Sequence, residues 1–352
     1  MSTVYPSTNH ESNSIEDRLK IDYLLDAKTA EKNDIQDLIS GLQNTPKSIP
    51  VRYFYDSQGS QLFEQICQLP EYYPTRTEAS ILKQYAAEIV EQTKAIELIE
   101  LGSGSSTKTR YLLDAYQDLH TPLYYSPVDV SDTILKDSAY KLLADYPQLK
   151  IQGKVATYDR ALEQMSSYVL GRRTIIFLGS SIGNFKDSEC DRFINQVTAV
   201  LNPGDYFLLG IDLQKPKKIL EAAYNDSQGV TAAFNLNMLQ HLNHRFQGNF
   251  NLDLFRHQAI YNSNEHQIEM YLIAQQDQLI SLKDLNLTLK VNKGEKILTE
   301  ISRKFNLEQM KQYLGNISDK EAEGQNLNLI QTYTDEQQWF GLLLCQKQLP
   351  NP

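Results

Sequence analysis

Between residues 96 and 212 apolar extended segments alternate with helical ones, and no other feature of the chain narrows its fold as much. Strand-like runs at 96–101, 123–130, 150–158, 173–179 and 206–212 are interspersed with helical patterns at 108–116, 131–146 and 187–201. A strand that is apolar on both sides must be covered on both sides, and a parallel connection needs a crossover long enough for a helix. The alternation therefore predicts an α/β domain built on a doubly wound parallel sheet.

On either side of this stretch the rhythm differs. Residues 1–14 are polar and read as a disordered tail. A helical pattern over 15–42 follows, then a loop marked by Thr45-Pro46 and Ile49-Pro50. After 215, helices at 219–224 and 230–245 precede extended segments at 256–261, 267–274, 287–291 and 296–303. The last two are joined by Asn292-Lys293-Gly294, which predicts a hairpin. A helix near 307–314 and strands near 326–334 and 339–346 end the chain. The expected division is a tail over 1–14, a doubly wound domain over 77–214 and 305–352, and a smaller domain made of 15–76 and an insertion over 215–304.

A chain of 352 residues can bury substantial cores, and 41% hydrophobic with 22% charged residues is ordinary for a globular protein. A net charge of −10 and the lack of a dense Lys/Arg run argue against nucleic acid as a partner. No apolar run approaches membrane-spanning length and the first residues lack a signal core, so the expected setting is the cytoplasm, with no membrane partner. Cys67, Cys190 and Cys345 are far apart and show no zinc spacing, so no metal is expected.

The strand at 96–101 runs into Gly102-Ser103-Gly104-Ser105-Ser106. Ligands of open α/β sheets sit at the carboxyl ends of strands, and glycine lets backbone turn sharply and approach a ligand. Two glycines followed by Ser-Ser-Thr do not make the GxGxxG of a dinucleotide site. Glu100-Leu101-Gly102-Ser103-Gly104 instead has the E/D-x-G-x-G form usual in S-adenosylmethionine enzymes, where backbone meets the methionine part of the cofactor. Asp129, at the end of the next strand, has two oxygens for the two ribose hydroxyls. NAD enzymes use an acid in the same way, so Asp129 points to a ribose without choosing the cofactor.

Further motifs run in order along most of the chain. They are Tyr53-Phe54-Tyr55-Asp56-Ser57-Gln58-Gly59-Ser60, Leu69-Pro70-Glu71-Tyr72-Tyr73-Pro74-Thr75-Arg76-Thr77-Glu78, residues 100–110 and Phe177-Leu178-Gly179-Ser180-Ser181-Ile182-Gly183-Asn184, followed by Leu209-Gly210-Ile211-Asp212-Leu213, Ala223-Tyr224-Asn225-Asp226, Gly229-Val230-Thr231-Ala232 with Phe234-Asn235, Ile268-Glu269-Met270 and Leu298-Thr299-Glu300-Ile301-Ser302. On these residues the chain resembles the histidine-specific methyltransferase family, whose best-known member makes the trimethylated histidine betaine, hercynine, on the way to ergothioneine. The resemblance implies a class I S-adenosylmethionine-dependent methyltransferase domain of Rossmann-like fold with a second, smaller α+β substrate-binding domain. It implies Nα-methylation of a free amino acid, histidine before others. Relatives act on other amino acids, including a prenylated tryptophan, so a different aromatic substrate and a non-catalytic cofactor-binding subunit stay open as alternatives.

By the same resemblance, Asn184 and Tyr224 hold the substrate carboxylate with help from Tyr55, whose contact is with the amine or the carboxylate; Tyr55 and Asn184 are the expected catalytic residues. Asn184 has a case of its own, since it follows the fourth strand where substrates are oriented, although a turn or helix cap is as good a use for it. Tyr72 is expected beside the imidazole. Glu300 and Ser302, two apart on a strand, share a face and can read one donor and one acceptor nitrogen of an imidazole; alone, they would pass for the exposed face of an antiparallel sheet. Met270 lies in a core-like pattern with Ile268 and Leu272, and the resemblance places it by the substrate ring. For the cofactor, the resemblance points to Gly102, Ser103, Gly104, Lys108, Asp129 and Tyr158, with Lys108 near the cofactor carboxylate. Where the family carries an Asp near the adenine amino group this chain has Thr157, with Asp159 two further on, and either can take the role. None of the six histidines matches a site position. The expected partner is a small molecule, and the protein is expected to act as a monomer.

Overall fold

The computed structural model describes residues 15–24, 27–119, 123–165, 171–315 and 327–348. The tail expected over 1–14 lies outside them. In chain order the strands are β1 (Leu19–Tyr23), β2 (Lys47–Ser48), β3 (Glu97–Leu101), β4 (Tyr124–Asp129), β5 (Lys150–Val155), β6 (Arg173–Phe177), β7 (Tyr206–Asp212), β8 (Phe255–Asn262), β9 (Gln267–Ala274), β10 (Gln278–Leu282), β11 (Leu287–Val291), β12 (Lys296–Arg303), β13 (Leu327–Thr334) and β14 (Phe340–Lys347). The α-helices are α1 (Ile15–Arg18), α2 (Ala27–Gln43), α3 (Ser57–Gln68), α4 (Tyr73–Thr93), α5 (Arg110–Asp118), α6 (Asp132–Asp145), α7 (Tyr158–Glu163), α8 (Asp187–Val200), α9 (Lys217–Tyr224), α10 (Val230–Phe246) and α11 (Leu307–Gly315).

The main sheet has eight strands in the order β1-β5-β4-β3-β6-β7-β14-β13. Strand β14 runs antiparallel to both neighbours, and the other pairs are parallel. Strand side chains alternate between faces. Leu98, Tyr125, Ile176 and Leu208 accordingly pack beneath α4, α5 and α6. Ile99, Val128, Ile175, Phe207 and Leu209 pack beneath α7, α8 and α11 on the other side. Each such side chain contributes roughly 1.5–3 kcal/mol by leaving water. Chain order reverses between β3 and β6, and such a reversal opens a crevice at the carboxyl ends of the two strands.

A third core joins α2, α3, α9 and α10 to a four-stranded sheet of order β2-β12-β9-β8 and to the β10-β11 pair. Leu38, Leu42, Phe54, Leu220, Met238, Ile268, Leu272 and Ile297 are all buried there.

Two expectations are corrected. The helix over 15–42 is interrupted by β1, which pairs with β5 from Leu19↔Ile151 to Tyr23↔Val155. Lys20 and Asp22 alternate with Leu19, Ile21 and Tyr23, a period of two that suits an edge strand. Arg18 anchors this segment through the carbonyls of Leu143, Tyr146 and Leu149 at 3.0, 3.0 and 3.3 Å. Residues 15–24 thus belong to the main sheet, not to the smaller core. The β11–β12 hairpin also does not form: β11 pairs with β10, a strand the sequence pattern did not mark, and β12 pairs with β9. Alternation fixes which face of a strand is buried but not which strand lies beside it.

Candidate active site

The loop after β3 is shaped for a ligand. Gly102 and Gly104 have φ of 72° and 49°, a region that favours glycine. A Cβ on Gly102 would stand 2.7 Å from the Tyr158 hydroxyl, whereas one on Gly104 would meet nothing within 4 Å. The loop is therefore closed on one side by the Tyr158 phenol and open at its tip. Asp129 accepts the Gly104 N–H on Oδ2 and the Ser131 N–H on Oδ1, both at 2.9 Å, which aims the carboxylate and leaves lone pairs on each oxygen. Burial lifts the Asp129 carboxyl above its usual value against those two donors. Ser103 Oγ is buried and has no hydrogen-bond partner among the described residues. An unpartnered hydroxyl, an open glycine turn and an aimed carboxylate fit the amino-acid and ribose parts of S-adenosylmethionine.

Two other cofactor candidates have protein partners of their own. Thr157 caps α7, its hydroxyl accepting the Arg160 N–H at 3.5 Å, while Asp159 is exposed on the first turn of that helix. Lys108 forms an ion pair with Glu78, a residue with no exposed surface. Burial opposes the Lys108 charge, but Glu78 outweighs it and holds the ammonium above the usual lysine value. Glu78 also accepts the Gly179 N–H, at 2.8 and 3.0 Å from its two oxygens, and so ties α4 to the loop after β6.

The motif around Tyr55 is mostly architectural. Tyr53 and Phe54 are buried, Phe54 stacking on Phe234 with ring centroids 4.4 Å apart. Asp56 caps α3 through the Gly59 N–H at 2.7 Å and is itself held by Asn237 at 2.8 Å. The chain between these fixed points turns Tyr55 outward. Tyr55 keeps 42% of its surface accessible, yet burial, then Glu300, Tyr158 and Asp129, push its phenol well above the usual tyrosine value. Tyr55 thus stands within electrostatic reach of Glu300 on β12 and of Tyr158 and Asp129 beside the glycine turn. Tyr72 stands edge-on to Tyr224, ring centroids 6.0 Å apart, and extends the aromatic wall.

Strand β12 supplies the far side. Glu300 lies opposite Met270 in the β12–β9 register, past a bulge that begins after Leu298. Met270 is 1% exposed, packed in line with Ile268 and Leu272. Burial raises the Glu300 carboxyl against a hydrogen bond from Asn184 and the charge of Lys304. Asn184 donates to Glu300 Oε1 at 3.0 Å and to the Ile301 carbonyl at 2.8 Å. Both its amide protons are taken, so this arrangement does not offer the carboxylate donor expected of Asn184; Oδ1 is its atom left for a ligand. Ser302 and Tyr224 share a hydrogen bond of 2.9 Å.

Sequence reasoning gave no role to Glu78, Asp212 or Lys304. Lys304 is fully buried and contacts Tyr224 Oη at 3.0 Å, Ser302 Oγ at 2.8 Å and Asp212 Oδ2 at 2.8 Å. It follows Ser302 by two positions, and the strand periodicity that linked Glu300 to Ser302 would have reached it.

A doubly wound sheet with one reversed strand, a glycine turn after β3 and an aimed acid after β4 are the marks of a class I S-adenosylmethionine-dependent methyltransferase. The model of the histidine-specific, S-adenosylmethionine-dependent methyltransferase family matches residues 34–347. The chain belongs to that family. It is 41% identical over 312 residues to the histidine N-alpha-methyltransferase of Mycobacterium tuberculosis, covering 89% of this chain and 94% of that one. The protein of the same name from Mycolicibacterium smegmatis is 41% identical over 310 residues, 88% of this chain and 94% of its own. Ergothioneine biosynthesis protein 1 of Neurospora crassa is 34% identical over 201 residues, 56% of this chain and 23% of its own.

Proposed function

We propose that the protein transfers methyl groups from S-adenosylmethionine to the α-amine of L-histidine, yielding hercynine for ergothioneine biosynthesis. The observation that carries this reading is the pairing of an acceptor, Glu300, with hydroxyl groups, Ser302 and Tyr224, at one end of β12 beside the Tyr72 ring. A neutral imidazole has one ring N–H and one bare nitrogen, which this pairing matches. The two mycobacterial relatives, matched over nearly their whole length, carry the same activity in their names.

When bound, S-adenosylmethionine supplies an electrophilic methyl group. The work of this chain is orientation, because a displacement needs amine, methyl carbon and sulfur in line. Asp129 and the 102–104 loop would hold its ribose and amino-acid parts, and the Tyr158 ring would flank its adenine. Asn184 Oδ1 and the Tyr55 hydroxyl accept hydrogen bonds from the amine and turn its lone pair toward the methyl group. A free α-amine titrates near ~8, so a neutral fraction exists without a strong base. Tyr55, with its raised pKa, remains a phenol and directs the amine without ionising. The product is a permanent cation, which an aromatic ring such as Tyr55 tolerates.

Incubation with methyl-labelled cofactor and each amino acid in turn tests the reading. Label is expected in histidine, with three methyl groups by mass; transfer to tryptophan or tyrosine but not to histidine overturns it.

A further inference from the structure

Lys304 sits behind the substrate-facing residues. Its side chain is 0% exposed and that of Asp212 1%. An ammonium has three protons and no lone pair. Here all three have acceptors: Asp212 Oδ2, Tyr224 Oη and Ser302 Oγ, at 2.8, 3.0 and 2.8 Å. Asp212 is held in turn by Lys215 at 2.5 Å and by the Tyr73 hydroxyl at 2.9 and 2.7 Å.

This leaves little freedom to the two hydroxyls. Each accepts from Lys304, and they are 2.9 Å from each other, so one donates to the other. The phenol is the more acidic and the better donor. With Tyr224 donating, Ser302 Oγ accepts from both Lys304 and Tyr224, and its two lone pairs are filled. What Ser302 has left is its proton. We propose that Lys304 is a specificity-determining positioning residue: by donating to both hydroxyls it leaves Ser302, which also accepts from Tyr224, a donor only, and this selects a ring presenting a bare nitrogen there and a ring N–H to Glu300. The assignment rests on the histidine reading above. It predicts rejection of rings without an acceptor, since the Ser302 proton would be buried unpaired against them.

The fold can spare the charge. Asp212 lies between two lysines, so Lys304→Met leaves a neutral Asp212–Lys215 pair and Lys215→Met leaves a neutral Asp212–Lys304 pair. The two variants remove the same charge from the same cluster, but only the first strips the hydroxyls of their donor.

The test is calorimetric binding of histidine and phenylalanine to the full chain loaded with S-adenosylhomocysteine, with melting curves for both variants. K304M is expected to weaken histidine at least ~10-fold, to shrink the preference for histidine over phenylalanine, and to leave the affinity for S-adenosylhomocysteine within about threefold. K215M is expected to keep histidine affinity within about threefold. Equal effects of the two variants, or unchanged discrimination in K304M, overturn the assignment of Lys304 while wild-type turnover of histidine keeps the substrate reading. No turnover of histidine by the wild type overturns that reading and the ring-nitrogen role with it.

Discussion

Glu78 on α4 and Gly179 after β6 are joined by hydrogen bonds of 2.8 and 3.0 Å from one backbone N–H to both carboxylate oxygens. Glu78 is wholly buried, and the Lys108 ammonium neutralises it. One side chain thereby locks together the helix after Tyr72, the loop after β6 and the helical start that follows the glycine turn.

Removing one member of a buried ion pair strands the other, at a typical cost of about 3–5 kcal/mol. The Lys108 side chain is 22% exposed and keeps some water, which puts the expected loss for Glu78→Ala at the lower end, about 3 kcal/mol. Urea unfolding of E78A, K108A and the double variant measures this. The double variant is expected to lose less than the sum of the single losses; strict additivity would show that the pair is not coupled.

Asp129→Asn tests the cofactor side. An amide has one acceptor oxygen, so its NH₂ group must oppose the N–H of either Gly104 or Ser131. Charged hydrogen bonds to a ligand contribute about 1.5–3 kcal/mol, so affinity for S-adenosylhomocysteine is expected to fall roughly 10- to 150-fold by calorimetry. Unchanged affinity would remove Asp129 from the ribose site.

The legible parts of the molecule were those whose signal is local. Alternating apolar strands gave the doubly wound sheet, and the glycine turn with Asp129 marked the carboxyl ends of β3 and β4. Strand β1 was lost inside a helical pattern because five residues at a sheet edge carry too little periodicity to stand out. The pairing of β11 with β10 was hidden because register depends on tertiary neighbours. Glu78 and Lys304 were passed over for a similar reason. Each is an ordinary charged residue in sequence, and its role comes from Gly179, Asp212 and Tyr224, which only the folded chain brings beside it. The motifs around Tyr55 and Tyr72 signalled function, yet most of their residues serve the architecture: Asp56 caps α3, Arg76 holds the carbonyls of Leu69 and Pro70 at 2.6 and 2.7 Å, and Tyr73 binds Asp212.

Tyr55→Phe separates orientation from base catalysis. Burial, with Glu300 next, keeps the Tyr55 phenol well above its usual value, so it stays protonated across the working pH range. Loss of a true general base costs about 10²–10⁴-fold in rate. Loss of a hydrogen bond that only aims the amine is expected to lower kcat about tenfold, with no change in the shape of the pH–rate profile. Disappearance of a titration from that profile in Y55F would assign the base to Tyr55 after all.

Glu100 sets a pH dependence on stability. It is 3% exposed beneath the glycine turn, bonded by Thr109 at 2.6 Å and by the Tyr125 hydroxyl. Burial raises its carboxyl from 4.5 to about 7, against those two donors. Below about 4.5 the group is protonated in both folded and unfolded chains, and its favourable contribution is fully present. As pH rises from there through about 7, the unfolded chain releases the proton first, so this contribution to stability is progressively lost; above 7 the loss is complete. A tenfold change in proton affinity is worth about 1.4 kcal/mol, so the loss across this pH window is about 3 kcal/mol. Glu100→Gln cannot ionise and lacks this dependence. Unfolding free energies of the wild type and E100Q, measured from about pH 5 to pH 8, are expected to move in the variant's favour as pH rises; parallel curves would show that Glu100 titrates alike in the folded and unfolded chains.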